Sequence, residues 1–164
     1  VSNAGILEKA PAMSETVFDS FERVLEVNVF GLLRMAQAFA PVLKANGGGA
    51  FVQLNSIASL SSFGDFSSYC ASKAAAYSFT QGLKASFTKQ GTALLSVHPG
   101  PIETNMAAEA GFAGMGDPAS MVSEGIVTSL RSGDFHLFPD TLAKEFEKAY
   151  APFAKSIIEA APKE

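Results

Sequence analysis

Short apolar segments that alternate with long amphipathic ones are the feature that most restricts how this chain folds. Residues 50–55 and 93–97 are short, mostly apolar runs bounded by turn residues, which is typical of buried strands. Residues 14–45 and 67–90 instead carry apolar side chains at helical spacing. Long helices between short buried strands favour a parallel sheet with right-handed crossovers. We therefore predict an α/β fold, a doubly wound parallel sheet with flanking helices.

The remaining segments extend the same alternation. Residues 1–5 read as the end of another buried strand, and residues 135–138 as a short strand. Residues 121–131 and 142–160 are predicted to be helices. The Gly-, Ala- and Met-rich residues 101–118 are predicted to form a loop.

The composition excludes several classes of protein. Of the 164 residues, 48% are hydrophobic and 17% are charged, which supports one folded domain over residues 1–164 and argues against disorder. The net charge is -4 and no Lys/Arg run occurs, so we expect no nucleic-acid partner. No apolar run is long enough to span a bilayer, so we expect no membrane partner.

The cysteine and histidine content restricts location and chemistry. Cys70 is the only cysteine, so no intrachain disulfide can form, and we expect a cytoplasmic protein. His98 and His136 are the only histidines, which together with one cysteine are too few to predict a metal site. A serine hydrolase is the runner-up enzyme class, but no serine lies in the Gly-x-Ser-x-Gly elbow that this class needs.

One helix carries a tyrosine and a lysine that suit proton transfer. Tyr69 and Lys73 are four residues apart, so their side chains share a helix face. A nearby lysine cation favours the phenolate form and lowers the pKa of a tyrosine, and such a phenol exchanges protons with a carbonyl or alcohol oxygen. Ser56, in the loop after the preceding strand, is placed to donate a hydrogen bond to the same oxygen.

Each candidate residue by itself also fits an ordinary structural role. Tyr69 and Lys73 fit a solvated helix face, Ser56 a loop cap, and Asn28 a polar helix position. The Asn-Ala-Gly and Pro-Gly sequences each fit a simple turn.

Five motifs nevertheless occur in a fixed order along the chain. They are Asn-Ala-Gly (Asn3, Ala4, Gly5), Asn-x-x-Gly (Asn28, Gly31), a serine thirteen residues before a tyrosine (Ser56, Tyr69), YCASK (Tyr69 to Lys73) and PGPIET (Pro99 to Thr104). In this order and at these spacings they resemble the short-chain dehydrogenase/reductase family. The resemblance covers residues 1–104 with specific motifs and the rest of the chain by general pattern. It implies the C-terminal portion of a Rossmann-fold reductase, with a partial Rossmann-like sheet.

The resemblance implies an NAD(P)-dependent oxidoreductase that interconverts a carbonyl and a secondary alcohol by hydride transfer. In this role Tyr69 is the acid/base, and Lys73 lowers its pKa and binds the ribose of the nucleotide. Ser56 orients the substrate oxygen, and Asn28 holds a water that links Lys73 to a proton relay.

The cofactor implied by the resemblance is NADP or NAD, with NADP favoured only by family habit. The residues expected against it are Asn3, Ala4, Gly5, Tyr69, Lys73, Pro99, Gly100, Ile102 and Thr104. The expected substrate is a small carbonyl or alcohol, and the apolar Met106, Phe112 and Met115 after this region favour an apolar one. We also expect a homodimer or homotetramer, since the family commonly dimerises through the helices that correspond to 14–45 and 67–90.

The glycine-rich turn that cradles the cofactor pyrophosphate in this family is not found in the sequence. Residues 46–50 end a helix and residues 111–116 follow no strand, so neither glycine cluster has the required context. Because the chain starts with Val1 in the middle of a predicted strand, we expect it to be part of a longer reductase. The alternatives are a catalytically inactive fragment and a non-catalytic, dimerising interaction protein of the same fold.

Overall fold

The computed structural model describes residues 1–160 and has a parallel sheet at its centre. Its strands are β1 (Gly49–Leu54), β2 (Thr92–Val97) and β3 (His136–Leu137), in the order β1-β2-β3. Ser2 adds one parallel bridge to Gln53 of β1, so the strand end predicted for residues 1–5 is reduced to a single bridge. The predicted α/β fold with a parallel sheet is therefore confirmed.

Helices connect and cover the strands. Within residues 1–160 they are α1 (Val17–Leu25), α2 (Gly31–Ala45), α3 (Ser67–Lys89), α4 (Asn105–Glu109), α5 (Ala119–Ser132) and α6 (Thr141–Phe153). Short 3-10 turns at Ile57–Ser59 and Gly64–Phe66 lie between β1 and α3.

Successive strand residues pack on opposite faces of the sheet. Phe51 and Leu94 are paired across β1 and β2 and join a cluster that includes α2 and α3 side chains. Val52 and Leu95, the next pair along, join a cluster that includes α5 side chains. Since alternate residues of a strand point to opposite faces, both faces are buried. Each fully buried apolar side chain of this size contributes about 1.5–3 kcal/mol relative to an exposed one.

The segment predicted as one helix over 14–45 is two helices. α1 ends at Leu25, and a π-helical turn, Glu26–Phe30, separates it from α2. Such turns are local bulges that are frequent at functional sites. This turn carries Asn28, which is 2% exposed.

Two C-terminal segments also differ from the prediction. The predicted loop 101–118 contains α4, whose first turn is capped by Thr104 Oγ1, which accepts the Ala107 N–H at 3.2 Å. The predicted helix 142–160 changes to a π-helical turn after Phe153, one residue beyond Pro152. Proline lacks the N–H that continues an α-helical hydrogen-bond ladder.

Candidate active site

The carboxyl ends of β1 and β2 lie side by side and lead into polar loops. The Asn55 N–H donates to Val97 O at 2.8 Å, and the Ile57 N–H donates to Pro99 O at 3.0 Å, so strand-like pairing continues past both strands. This pairing holds the loop that begins at Ser56 against the turn that follows β2. Ligands of open parallel sheets bind at this edge, which makes it the candidate site.

Lys73, in the first half of α3, is buried at this edge. It is 6% exposed, and its Nζ donates to Leu54 O at 2.9 Å. Burial lowers its pKa to about 8, so most of the side chain is protonated at neutral pH. An ammonium has three N–H donors, and among residues 1–160 Leu54 O is the only hydrogen-bond acceptor that Nζ has. Two donors therefore point to no protein group.

Tyr69 lies beside Lys73 and is half-buried. The Lys73 Nζ is 5.8 Å from the centre of its ring. Burial raises the pKa of Tyr69 to about 12, while the nearby Ser56 hydroxyl opposes the rise. The predicted lowering of the Tyr69 pKa is therefore wrong for this structure, because desolvation of the phenolate raises it.

Gly5 borders the same space between Asn28 and Lys73. A Cβ at this position would lie 3.2 Å from Asn28 Oδ1 and 3.6 Å from Lys73 Nζ. Asn3 and Ala4 before it are exposed. The glycine thus leaves open a gap between an amide oxygen and an ammonium, which any side chain would fill.

Asn28 holds the N-terminal segment onto the π-helical turn. Its Oδ1 accepts the Ile6 N–H at 2.9 Å, and its Nδ2 donates to Ile6 O at 3.0 Å and to Ser72 Oγ at 2.9 Å. The side chain therefore has firm protein partners and also reaches the gap at Gly5. Its predicted role in a proton relay stays a prediction.

Ser56 caps the 3-10 turn that starts the loop after β1. Its Oγ accepts the Ala58 N–H at 3.1 Å and donates to Pro99 O at 3.3 Å. The second bond is long for an O–H donor, so little is lost if the hydroxyl turns to another acceptor. Ser56 thus has both the loop-cap role and a proton free to be redirected towards the side of Tyr69.

The turn after β2 is anchored by a residue that the sequence reading missed. The Gly100 N–H donates to Asp140 Oδ2 at 2.7 Å, and the Asp140 side chain is buried at the start of α6. A Cβ on Gly100 would lie 2.7 Å from Asp140 Oδ1. Position 100 therefore requires glycine, because any side chain there would collide with the Asp140 carboxylate.

Ile102 and Thr104, also predicted to bind the cofactor, lie further along this segment. Ile102 forms a parallel bridge with Asp117, and Thr104 caps α4. Within residues 1–160 no hydrogen bond joins either residue to Tyr69 or Lys73. The structure thus groups Gly5, Asn28, Ser56, Tyr69 and Lys73, and leaves these two at the margin.

His98 is a second residue that the sequence reading missed. It is fully buried, with Nδ1 3.0 Å from Ser59 Oγ and 3.2 Å from Ser56 O, and Nε2 2.8 Å from Ser96 Oγ. Burial lowers its pKa to about 3, so the imidazole is neutral. It ties the Ser56 loop to the residues before Pro99. The only sequence signal for it is a histidine placed directly before Pro-Gly at the end of a strand.

A parallel sheet covered on both faces, with a polar site at its carboxyl edge, defines a Rossmann-like α/β protein. The family model of the short chain dehydrogenases matches residues 1–112. The chain therefore belongs to the short chain dehydrogenase family, as its motifs predicted.

Similar proteins include oxidoreductases of several bacteria. The chain is 39% identical over 113 residues to the "Probable oxidoreductase EphD" of Mycobacterium tuberculosis, covering 68% of this chain and 19% of that protein. It is 33% identical over 108 residues to the cyclohexanol dehydrogenase of an Acinetobacter species, covering 66% of this chain and 43% of that protein. The chain thus spans less than half the length of these relatives.

A solved structure shows the same fold over nearly the whole chain. It is a short chain dehydrogenase from Burkholderia cenocepacia in complex with NADP, with a TM-score of 0.83 and 29% identity. The match covers 94% of this chain and 66% of that one.

Two further properties concern the helices and the metal-binding side chains of residues 1–160. None of the helices in this range combines the length and the hydrophobicity needed to cross a membrane. The same residues contain no group of three or more His, Cys, Asp or Glu side chains arranged to hold a metal ion.

Proposed function

We propose that the chain is the catalytic part of an NAD(P)-dependent oxidoreductase that interconverts a carbonyl and a secondary alcohol. The observation that carries the proposal is the buried Lys73 ammonium, with two free donors, beside Tyr69 and within reach of the Ser56 loop. A buried charge is costly unless it serves a partner or a ligand, and here residues 1–160 supply one acceptor, Leu54 O.

The described residues fit part of a nicotinamide nucleotide. Two N–H donors of Lys73 suit a pair of ribose hydroxyls, and the gap left by the missing side chain of Gly5 borders them. The NADP in the Burkholderia structure supports NADP or NAD as the cofactor. When bound, the cofactor supplies or accepts the hydride. Residues outside this chain would have to hold its pyrophosphate.

The proton chemistry follows from the state of Tyr69. With a pKa of about 12, its phenol keeps its proton at neutral pH and acts as the acid that protonates a carbonyl oxygen. Ser56 donates a second hydrogen bond to that oxygen once its hydroxyl turns from Pro99 O. Asn28, with Oδ1 facing the same gap as Lys73, is the residue that would support proton exchange behind Lys73.

The proposal extends to the substrate class, the oligomeric state and the location of the protein. The cyclohexanol dehydrogenase relative supports a small secondary alcohol or the matching ketone. Met106 and Met115, in the segment that follows Thr104, are exposed, which supports an apolar substrate. Phe39 and Val42 of α2 and Phe79 of α3 are each close to half exposed, which supports a homodimer or homotetramer. A cytoplasmic location is part of the same proposal.

The test is to replace Tyr69 by Phe in the full-length protein. Turnover of a panel of secondary alcohols and ketones with both cofactors should fall by about 100-fold or more, since general acid catalysis contributes that much. Cofactor affinity should stay within a few-fold. The matched control is Tyr77→Phe on the same helix, which should keep its turnover. Equal turnover in wild type and Tyr69→Phe would rule out the assigned role.

A non-catalytic, dimerising protein of the same fold is the second candidate, and the exposed apolar residues of α2 and α3 favour it. Titration of the full-length protein with NADPH and NADH separates the two. Binding of neither cofactor, together with a stable dimer in sedimentation, would favour the second candidate.

A further inference from the structure

Asp140 occupies an unusual position between the C-terminal helix and the candidate site. Its side chain is 1% exposed, and its two carboxylate oxygens serve two different elements. Oδ1 accepts the Ala143 N–H at 3.0 Å and so caps α6. Oδ2 accepts the Gly100 N–H at 2.7 Å and so holds the turn after β2.

Helix capping alone does not explain a carboxylate here. Serine and asparagine cap helices as well as aspartate does, and a buried anion is costly unless it is paired. Within residues 1–160, no lysine, arginine or histidine forms an ion pair with Asp140. Compared with a neutral cap, the carboxylate has a second acceptor oxygen, Oδ2, and this oxygen accepts the Gly100 N–H.

The contact between α6 and the turn leaves no room for a side chain at Gly100. A Cβ on Gly100 would lie 2.7 Å from Asp140 Oδ1 and 3.3 Å from Leu142 Cβ. On its other side the turn is tied to the Ser56 loop, since Pro99 O accepts both the Ile57 N–H and the Ser56 hydroxyl.

We propose that Asp140 is a positioning residue: its carboxylate fixes Gly100, and with it the surface that the turn offers to the cofactor. The inference rests on the proposed function, since it takes Pro99 and Gly100 to line the cofactor. It adds that the start of α6, well outside the motif region, sets cofactor affinity.

The test compares two Asp→Asn substitutions at the same end of α6. Asp140→Asn keeps one acceptor for the Ala143 N–H but turns an amide N–H₂ towards the Gly100 N–H. Asp117→Asn is the matched control, because Asp117 Oδ2 accepts the Thr141 N–H, at 2.7 Å, and an asparagine oxygen can still do so. Both variants are made in the full-length protein and titrated with NADPH and NADH.

Asp140→Asn should raise the cofactor Kd by about 10-fold or more, as expected for a lost hydrogen bond to a charged group. The Kd of Asp117→Asn should stay within about 2-fold, because its single acceptor is retained. In NMR hydrogen exchange without cofactor, the Gly100 amide of Asp140→Asn should exchange faster while the Ala143 amide stays protected. This pattern separates positioning from a general loss of stability.

Three results would overturn the inference or its basis, and they are distinguishable. If Asp140→Asn binds cofactor as tightly as Asp117→Asn, Asp140 does not position the turn. If neither Asp140→Asn nor Asp140→Ser folds, Asp140 serves stability and the inference also fails. If wild type itself binds neither cofactor, it is the proposed function that fails.

Discussion

Two tyrosines on α3 lie eight positions apart and have opposite surroundings. The Tyr77 hydroxyl is 2.6 Å from His136 Nε2 and 3.1 Å from Tyr150 OH, and His136 Nδ1 is 2.7 Å from Glu159 Oε1. Near Tyr69, by contrast, the Lys73 ammonium uses one of its three donors. The polar groups around Tyr77 are hydrogen-bonded to one another, whereas Lys73, beside Tyr69, keeps donors that a ligand can use.

The contrast shows how to recognise a site within one helix. Burial raises the pKa of both tyrosines, so a perturbed pKa alone does not separate them. The unused donors and the gap at Gly5 do separate them. A functional cluster retains unpaired polar groups at a cost in stability, whereas a structural cluster pairs them.

His98 connects the two clusters and gives the largest predicted effect. Its ring centre is 4.6 Å from that of Tyr77, and its Nδ1 is near Ser56 O. Burial lowers its pKa from 6.5 to about 3, so between these pH values the imidazole is protonated in the unfolded chain and neutral in the folded chain. This contribution to stability is present above pH 6.5 and is lost as the pH falls towards 3, by up to about 5 kcal/mol.

Urea unfolding of wild type and His98→Asn between pH 7 and pH 3 checks this prediction. The comparison concerns the slope of the unfolding free energy against pH, since the variant also starts from a different stability. The slope should be flatter in His98→Asn. If the two curves of unfolding free energy against pH were parallel, the His98 imidazole would not be held neutral by burial.

Lys73→Met should separate activity from stability. Turnover should fall by about 100-fold or more, since the cation no longer assists proton transfer. The free energy of unfolding at neutral pH should rise by about 1–3 kcal/mol, because the pKa of Lys73, lowered by burial to about 8, means that its charge is costly below that pH. Denaturant titration and steady-state kinetics on the same samples test both parts. A less stable variant would contradict the view that this cluster costs stability.

Tyr77→Phe should have the opposite effect on stability and little effect on turnover. Its loss leaves His136 Nε2 and the Tyr150 hydroxyl without their shared partner, which should lower stability by about 1–3 kcal/mol. Turnover should stay within a few-fold of wild type. Thermal unfolding and kinetics measure the two quantities, and a large loss of turnover with little loss of stability would reverse the assignment of the two clusters.

The sequence predicted the fold well because its signals were local. The periodicity at 50–55, 67–90 and 93–97 corresponds closely to β1, α3 and β2. The break of the first helix at Glu26–Phe30 was not predicted, since its residues keep helical spacing and only the backbone hydrogen bonds change.

The site was predicted only where a motif marked it. Ser56, Tyr69 and Lys73 were selected by their spacing, and their catalytic roles stay predictions. The direction of the Tyr69 pKa was predicted wrongly, because desolvation depends on packing that spacing does not describe. Asp140 was missed because its partner Gly100 is forty residues away. Contacts of that range leave no periodic trace in a single sequence.

The route of the chain between β1 and β2 links folding to the appearance of the site. Parallel strands cannot pair through a tight turn and need a crossover, and here the crossover is α3 itself, between Leu54 and Thr92. Such non-local pairing forms slowly, because closing the intervening segment costs conformational entropy. The helix that brings the strands together also carries Tyr69 and Lys73. Pairing of the sheet and assembly of the candidate site therefore depend on the same segment of the chain.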